Sequence, residues 1–130
     1  MSVSPKELVS AAKQAKDKYA TTYFKMGAAV LTKCGKVFTG CSITCAVSPC
    51  SMCAERVAIF KAVSEGYKEF EALAVIGDDD TVKVSVCGMC RQVMRQYSLD
   101  MKAYCANNKE EFNTHQLNVL LPHEYGPNLS

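Results

Sequence analysis

The sequence has little that favours a nucleic-acid partner. Its 15 Lys and Arg residues nearly balance 13 Asp and Glu residues, and the resulting formal net charge is only +2. The basic residues are scattered along the chain, and no series of stacking aromatic residues stands out. Binding of single-stranded nucleic acid usually combines a basic groove with such aromatics. We therefore expect no nucleic-acid partner.

Long apolar runs are absent as well. No run approaches the roughly 20 residues that a membrane-spanning helix requires, and the first residues lead into a charged, amphipathic stretch instead of the apolar core of a secretory signal. We therefore expect a cytoplasmic protein with no membrane partner. Internal repeats and low-complexity segments are also missing. With 130 residues, of which 48% are hydrophobic, the chain is expected to form one domain over residues 1–130.

Cysteine, in contrast, is abundant, with eight residues in the chain. In a reducing compartment, thiols bind metal or stay buried and free more often than they form disulfides. Four of the cysteines are predicted to pack as small hydrophobes: Cys34, Cys41, Cys45 and Cys105. The two histidines, His115 and His123, fall outside the remaining cysteine motifs and are predicted to be surface or cap residues.

The order of elements predicts an α/β fold. A first helix is expected to begin at Pro5, with Ser4 as its cap and Glu7 closing a capping box. Its apolar stripe would comprise Leu8, Ala12, Ala15 and Tyr19. Strands are predicted at 27–32, 37–43, 71–77, 82–86 and 101–106, the first two forming a hairpin, and further helices at 53–66, 87–97 and 114–121. Such alternation implies a mixed sheet covered by helices on both faces.

Two cysteine motifs lie where a loop enters a predicted helix. Cys53 precedes Glu55 by two residues, and Cys87 precedes Cys90 by three. The partial positive charge at a helix N-terminus favours the thiolate that zinc requires. A Cys-x-x-Cys pair spans one helical turn, so both sulfurs can bind one ion, and Cys53 can supply the third ligand. The fourth tetrahedral position would be left for water, as in catalytic zinc sites.

Glu55 and Arg56 have complementary expected roles beside this zinc. Glu55 is close enough to reach the water without being a ligand, and it could act as general acid and base. Three thiolates carry more negative charge than zinc neutralises, which weakens acidification of the water. Arg56 is placed to donate hydrogen bonds to ligand sulfurs and so to compensate part of that charge.

Together these residues resemble the small, single-domain cytidine deaminases. The matching stretches are FKMGAAV (24–30), GKVFTGC (35–41), CAER (53–56), AVSEG (62–66), CGMCRQ (87–92), LLP (120–122) and YGP (125–127). The resemblance implies a three-layer α/β/α fold with a mixed central sheet and one zinc ion per chain. It also implies a homotetramer, with a dimer as the alternative, in which neighbouring subunits contribute residues to each active site.

The same resemblance implies a reaction and a set of substrate contacts. Water at the zinc would attack C4 of cytidine or deoxycytidine, with Glu55 as proton shuttle, and yield uridine or deoxyuridine plus ammonia. Phe24 would lie against the pyrimidine, and the carbonyl of Ser85 would accept a hydrogen bond from the leaving amine. Ala54 is a further expected substrate contact, and Tyr125 an expected inter-subunit contact. A role in pyrimidine salvage or in detoxification fits equally.

The chain departs from the family pattern around the sugar. An Asn-x-Glu-Asn segment usually holds the ribose hydroxyls, whereas this chain has Ser42, Ile43, Thr44 and Cys45. Ser48 and Val86 replace a tyrosine and a proline that are common in the family. Ser42 and Thr44 thus become the candidate contacts to the N1 substituent. Blasticidin S deaminases, which are related in fold, also diverge here, and a modified cytosine nucleoside is therefore the alternative substrate.

Two further alternatives belong to other classes. Cys50 and Cys53 form a second Cys-x-x-Cys pair, so a closed Cys₄ structural zinc is also compatible with the spacing. That interpretation leaves Glu55 and Arg56 without a role, and the separation of the pairs exceeds that of typical zinc ribbons. A deaminase that edits bases in RNA or single-stranded DNA would share the zinc chemistry but would need the basic groove and aromatics that this chain lacks.

Overall fold

The computed structural model describes residues 3–21 and 23–126. The elements, in chain order, are α1 (Pro5–Tyr19), β1 (Gly27–Thr32), β2 (Val37–Cys41), a 3₁₀ turn (Ser48–Cys50), α2 (Ala54–Ser64), β3 (Phe70–Ile76), α3 (Gly88–Tyr97), β4 (Lys102–Ala106), β5 (Phe112–Gln116) and α4 (Leu117–Leu120). No helix in this part of the chain combines the length and apolar character needed to cross a bilayer.

Helix α1 begins with the predicted capping box. Ser4 Oγ accepts a hydrogen bond from the Glu7 backbone N–H, and Glu7 Oε1 accepts one from the Ser4 N–H, both at 3.1 Å. These bonds satisfy two backbone donors that have no partner within the helix. The predicted apolar stripe is correct except at its last position, because Tyr19 is 64% exposed. The buried residue in the last turn is Lys16.

The strands form one five-stranded mixed sheet in the order β2-β1-β3-β4-β5. Strands β1 and β2 pair as the predicted antiparallel hairpin, and Gly35 in its turn has a φ of 96°. Strands β3 and β4 are parallel, with Ala72 opposite Lys102 and Ile76 opposite Ala106. The other two pairings, β1 with β3 and β4 with β5, are antiparallel. The mixed sheet is therefore confirmed.

Alternating side chains on the central strands separate two apolar cores. Ala28, Val30, Leu73 and Val75 pack with α2 and α3 on one face of the sheet. Ala29, Leu31, Ala72, Ala74 and Ile76 pack with α1 on the opposite face. Successive strand residues point to opposite faces, and a strand buried on both faces is accordingly apolar throughout. The result is the expected arrangement of three layers, α/β/α.

Two predicted elements are wrong, and one strand ends early. Residues 82–86 form no strand. Both edges of β4 are already paired, and the backbone of the segment contacts this strand through the bond from Val84 N to Ala106 O, at 3.3 Å. The helix predicted at 114–121 is instead β5 followed by the single turn of α4. Strand β2 ends at Cys41, and Ile43 forms an isolated bridge with Met52.

Candidate active site

Two helices begin at the same place, and each begins with a cysteine. Cys53 is the N-cap of α2 and Cys87 is the N-cap of α3, both with extended backbone conformations. Cys90 lies in the first turn of α3, and its backbone N–H donates to Cys87 Sγ at 3.4 Å. Residues at the N-cap and in the first turn bring their sulfurs close to backbone N–H groups that have no helical partner. The two helix starts thus direct three thiols to one point.

The three sulfurs are spaced to fit a tetrahedral metal. The Sγ atoms of Cys53, Cys87 and Cys90 all lie within 4.8 Å of one another. The Cys53–Cys87 distance is 3.8 Å and the Cys87–Cys90 distance is 3.2 Å. Sulfurs that bind a tetrahedral zinc at about 2.3 Å are separated by about 3.8 Å. One distance therefore matches directly, and the other requires an opening of about 0.6 Å.

The acid–base properties of the thiols also point to a cation. Burial raises the pKa of Cys87, but hydrogen bonds from the backbone and thiol of Cys90 and from Cys53 outweigh it, so the net pKa is below its usual value. For Cys90, burial and then the nearby Glu55 carboxylate raise the pKa strongly. Three thiolates beside a carboxylate repel one another, and a bound divalent cation reduces that repulsion.

Glu55 is the buried acid of the site. It lies in the first turn of α2 and is only 2% exposed, yet it lines the cavity that opens beside the thiols. Burial raises its pKa above the usual value, while a hydrogen bond with Cys90 and the charge of Arg56 act in the opposite direction. A raised pKa brings the carboxyl closer to the pH range in which it can both accept and return a proton.

Arg56 is positioned as the sequence predicts. Its Nη2 donates to Cys53 Sγ at 3.5 Å, and hydrogen bonding to Cys53 raises the pKa of the guanidinium further. Arg56 thus contacts one of the three thiols and adds positive charge next to them.

A cavity of about 290 Å³ opens over the thiols. Its lining comes from the 24–26 segment, the 42–52 loop, the start of α2 and the loop before α3: Phe24, Met26, Ser42, Ile43, Thr44, Ser51, Met52, Cys53, Ala54, Glu55, Ser85 and Cys87. All five predicted substrate contacts are in this set. Phe24 is 78% exposed and is therefore not a core residue. Tyr125 lies outside the lining and is 83% exposed, with its carbonyl accepting from Gln92 Nε2 at 2.8 Å.

Sequence reasoning missed the residue that fixes the loop before α3. Arg91 Nε donates to the carbonyl of Val86 at 2.7 Å, Nη1 to the carbonyl of Leu120 at 2.9 Å and Nη2 to Ser85 Oγ at 3.0 Å. The guanidinium thereby holds the residues that precede Cys87 against α4. The position of Arg91 directly after Cys90 was the one feature of the sequence that could have indicated this role. The apolar residues Met26 and Met52 in the cavity wall were also missed.

The remaining cysteines lie outside the thiol group. Cys50 is exposed and is not among the cysteines that converge in the described part of the chain, so the closed Cys₄ arrangement is not formed. Cys105 is buried as predicted, and Cys41 and Cys45 are partly buried, but Cys34 is exposed at the hairpin turn and the prediction that it packs is wrong. Of the matching YGP stretch, Pro127 lies outside the described residues.

Comparison with known proteins agrees with this geometry. A family model for the "cytidine and deoxycytidylate deaminase zinc-binding region" matches residues 3–106. A cytidine deaminase of Sporosarcina psychrophila is 38% identical over 119 residues, covering 89% of this chain and 87% of that protein. A blasticidin-S deaminase of Bacillus cereus is 30% identical over 117 residues, covering 85% and 83% respectively.

A solved structure extends the likeness to the fold. The crystal structure of cytidine deaminase from Burkholderia pseudomallei superimposes with a TM-score of 0.87 at 37% identity, covering 95% of this chain and all of the other. The family model spans most of the chain and includes all three convergent cysteines. The chain therefore belongs to the zinc-binding cytidine and deoxycytidylate deaminase family of hydrolases.

Proposed function

We propose that this chain catalyses the hydrolytic deamination of a cytosine nucleoside, cytidine or deoxycytidine, to the uracil nucleoside and ammonia. The observation that carries the proposal is the placement of Glu55: a carboxyl that is 2% exposed lines an open cavity beside three converging thiols. Similarity to cytidine deaminases over most of the chain supports the same reaction.

Cys53, Cys87 and Cys90 would hold the zinc as thiolates. When bound, zinc supplies Lewis acidity that activates water as a nucleophile at neutral pH. Arg56 stabilises the thiolate of Cys53 through its hydrogen bond. The N-termini of α2 and α3 add partial positive charge. These groups reduce the negative charge that three sulfurs would otherwise concentrate in the site.

Glu55 moves the protons. It accepts one from the attacking water and delivers it to ring nitrogen N3 as the new C–O bond forms at C4. It then transfers the second proton of the water to the amine, the C4–N bond breaks and ammonia leaves. Burial raises the pKa of Glu55, and a raised pKa brings the carboxyl closer to the working pH at which both transfers are efficient.

The cavity wall orients the base. Phe24 packs against the pyrimidine, and the carbonyl of Ser85 accepts a hydrogen bond from the amino group. Ala54, which is the first residue of α2, contacts the base between Cys53 and Glu55. Arg91 keeps the Ser85 segment in place by donating to Ser85 Oγ and to the Val86 carbonyl.

A modified cytosine nucleoside is the second candidate substrate. The observation in its favour is that the 42–44 wall presents short hydroxyl side chains, Ser42 and Thr44, to the cavity. A blasticidin-S deaminase is also among the similar proteins. A substrate of the blasticidin S type would place its altered sugar against this wall.

We also propose a homotetramer with Tyr125 at a subunit contact. Several large apolar side chains are exposed in the described part of the chain, among them Tyr125 at 83%, Val119 at 71% and Met89 at 65%. Large exposed apolar side chains are candidates for burial in protein interfaces. Light scattering of the purified protein measures the assembly, and a monomer at micromolar concentration would contradict it.

A substrate panel tests the proposed reaction. Zinc-loaded protein is mixed with cytidine, deoxycytidine, cytosine or blasticidin S, and loss of the amine is followed by absorbance. We expect turnover of cytidine and deoxycytidine. Turnover of blasticidin S alone would favour the second candidate. No turnover of any of the four by protein that contains stoichiometric zinc would contradict the deaminase function.

A further inference from the structure

The hydroxyl of Ser42 is already used by the protein itself. Ser42 Oγ accepts a hydrogen bond from the Met26 backbone N–H and donates one to the Phe24 carbonyl, both at 3.0 Å. A serine hydroxyl has a single proton to donate, so Ser42 has none left for a substrate oxygen. Its role is to join the two walls of the cavity, the 24–26 segment and the 42–44 segment.

Ser51 is also partly engaged. Its Oγ accepts a hydrogen bond from the Cys45 backbone N–H at 2.9 Å and so fixes the 42–52 loop. Thr44 is the third hydroxyl residue of this loop in the cavity lining, and it lies exposed at the opening.

Side chains suited to a vicinal diol are absent from this part of the cavity. Among the described residues, the lining contains no Asp, Asn, Gln, Lys, Arg or His, and its one carboxylate is Glu55 at the thiols. The lining includes Ile43 and Met52 instead, which pair through backbone hydrogen bonds of 3.0 and 2.9 Å. A diol is bound strongly by a carboxylate or an amide, because these groups offer two acceptors or both a donor and an acceptor.

We infer that this chain selects its substrate by the cytosine base and does not read the 2′,3′-diol of the sugar. The substrate class is therefore N1-substituted cytosines, with ribose, deoxyribose, dideoxyribose and small alkyl groups all accepted at N1. The inference rests on the proposed deaminase function and adds the substrate class to it.

The expected selectivity follows from the composition of the wall. A site built to hydrogen-bond a substrate hydroxyl rejects an analogue that lacks it by a factor on the order of 10⁴, because the polar groups of the site are left unpaired. Here the donor of Ser42 stays paired whether or not the sugar carries hydroxyls. An apolar wall separates two such substrates by a factor on the order of 10² at most.

The test is a ratio of specificity constants on the zinc-loaded enzyme. We measure kcat/KM for cytidine, 2′-deoxycytidine, 2′,3′-dideoxycytidine and 1-methylcytosine. The expected result is a cytidine to dideoxycytidine ratio below about 100, with measurable turnover of 1-methylcytosine. A ratio of about 100 or more overturns the inference while leaving the deaminase function intact. Failure to turn over any of the four contradicts the proposed function itself, and the inference with it.

Variants at Thr44 test the same point from within the site. Thr44→Val is close in shape but removes the hydroxyl, and we expect the cytidine to dideoxycytidine ratio to change by less than about threefold. Thr44→Glu introduces a carboxylate at the cavity opening, and we expect the ratio to rise at least about tenfold. A tenfold or greater fall of the ratio in Thr44→Val would show that Thr44 reads the sugar, and would overturn the inference.

Discussion

The guanidinium of Arg56 is hydrogen-bonded to the sulfur of Cys53, with Nη2 3.5 Å from Sγ. The two residues are three positions apart, from the N-cap into the first turn of α2. This contact places a permanent positive charge beside a thiol that becomes negative when it binds zinc. We propose that Arg56 offsets part of the negative charge of the three sulfurs and so supports the activation of water.

Arg56→Gln is expected to lower kcat by about 10- to 100-fold, the usual cost of removing a residue that supports a metal ligand. Arg56→Lys keeps the charge but not the forked geometry of the guanidinium, and its kcat should lie between those of the wild type and Arg56→Gln. Steady-state kinetics at matched zinc content measure the effect. A kcat for Arg56→Gln within twofold of the wild type would show that the contact has no catalytic role.

Zinc content separates the three-thiol site from a four-cysteine site. We expect Cys90→Ser to purify with little zinc, because Cys90 is one of the three converging thiols. Cys50→Ser should retain one zinc per chain, because Cys50 is exposed and its thiol is not among the three that converge. Elemental analysis of both variants gives the result. Loss of zinc from Cys50→Ser would support the closed structural site instead.

The buried Lys16 side chain is expected to stabilise the fold at a place away from the active site. Its side chain is fully buried, and Nζ donates to the Gly77 carbonyl at 3.3 Å, to Asp78 Oδ1 at 3.1 Å and to Asn108 Oδ1. We expect Lys16→Met to lower the free energy of unfolding by about 2 kcal/mol, because buried hydrogen bonds to a charged donor are lost. Urea denaturation measures the change.

Lys13→Met is the matched control on the same helix. The Lys13 side chain is 28% exposed; it pairs with Asp17 at 2.9 Å and also donates to Asn108 Oδ1 at 3.2 Å, at the solvent side of the Lys16 network. Because Lys13 is partly exposed, its ion pair contributes roughly 1 kcal/mol or less. If Lys16→Met proved no more destabilising than Lys13→Met, the buried network would not contribute as described.

The elements with local signals were predictable from the sequence. Ser4 and Glu7 mark the start of α1, and Gly66, with a φ of 97°, marks the end of α2. Helix starts at Cys53 and Cys87 placed both cysteine motifs correctly. These features depend on residues within one turn of each other, so the sequence alone contains the information.

Features that depend on distant residues were not predictable. Strand β5 is an edge strand with mostly exposed polar residues, so it lacks the apolar alternation that reveals a strand. Residues 82–86 do show this apolar alternation, but both edges of β4, the strand that they contact, are already paired. The engagement of Ser42 depends on Phe24 and Met26, 18 and 16 residues away. Such contacts become visible only when the fold is known.

The turnover of Glu55→Gln tests the central claim most directly. The substitution keeps the size of the side chain and removes its ability to carry a proton, so kcat for cytidine should fall by at least about 10³-fold, within the range for general acid–base catalysis. Zinc content should remain one ion per chain, because the group that could hold the metal consists of Cys53, Cys87 and Cys90 and does not include Glu55. A zinc-loaded Glu55→Gln enzyme with kcat within tenfold of the wild type would contradict the account.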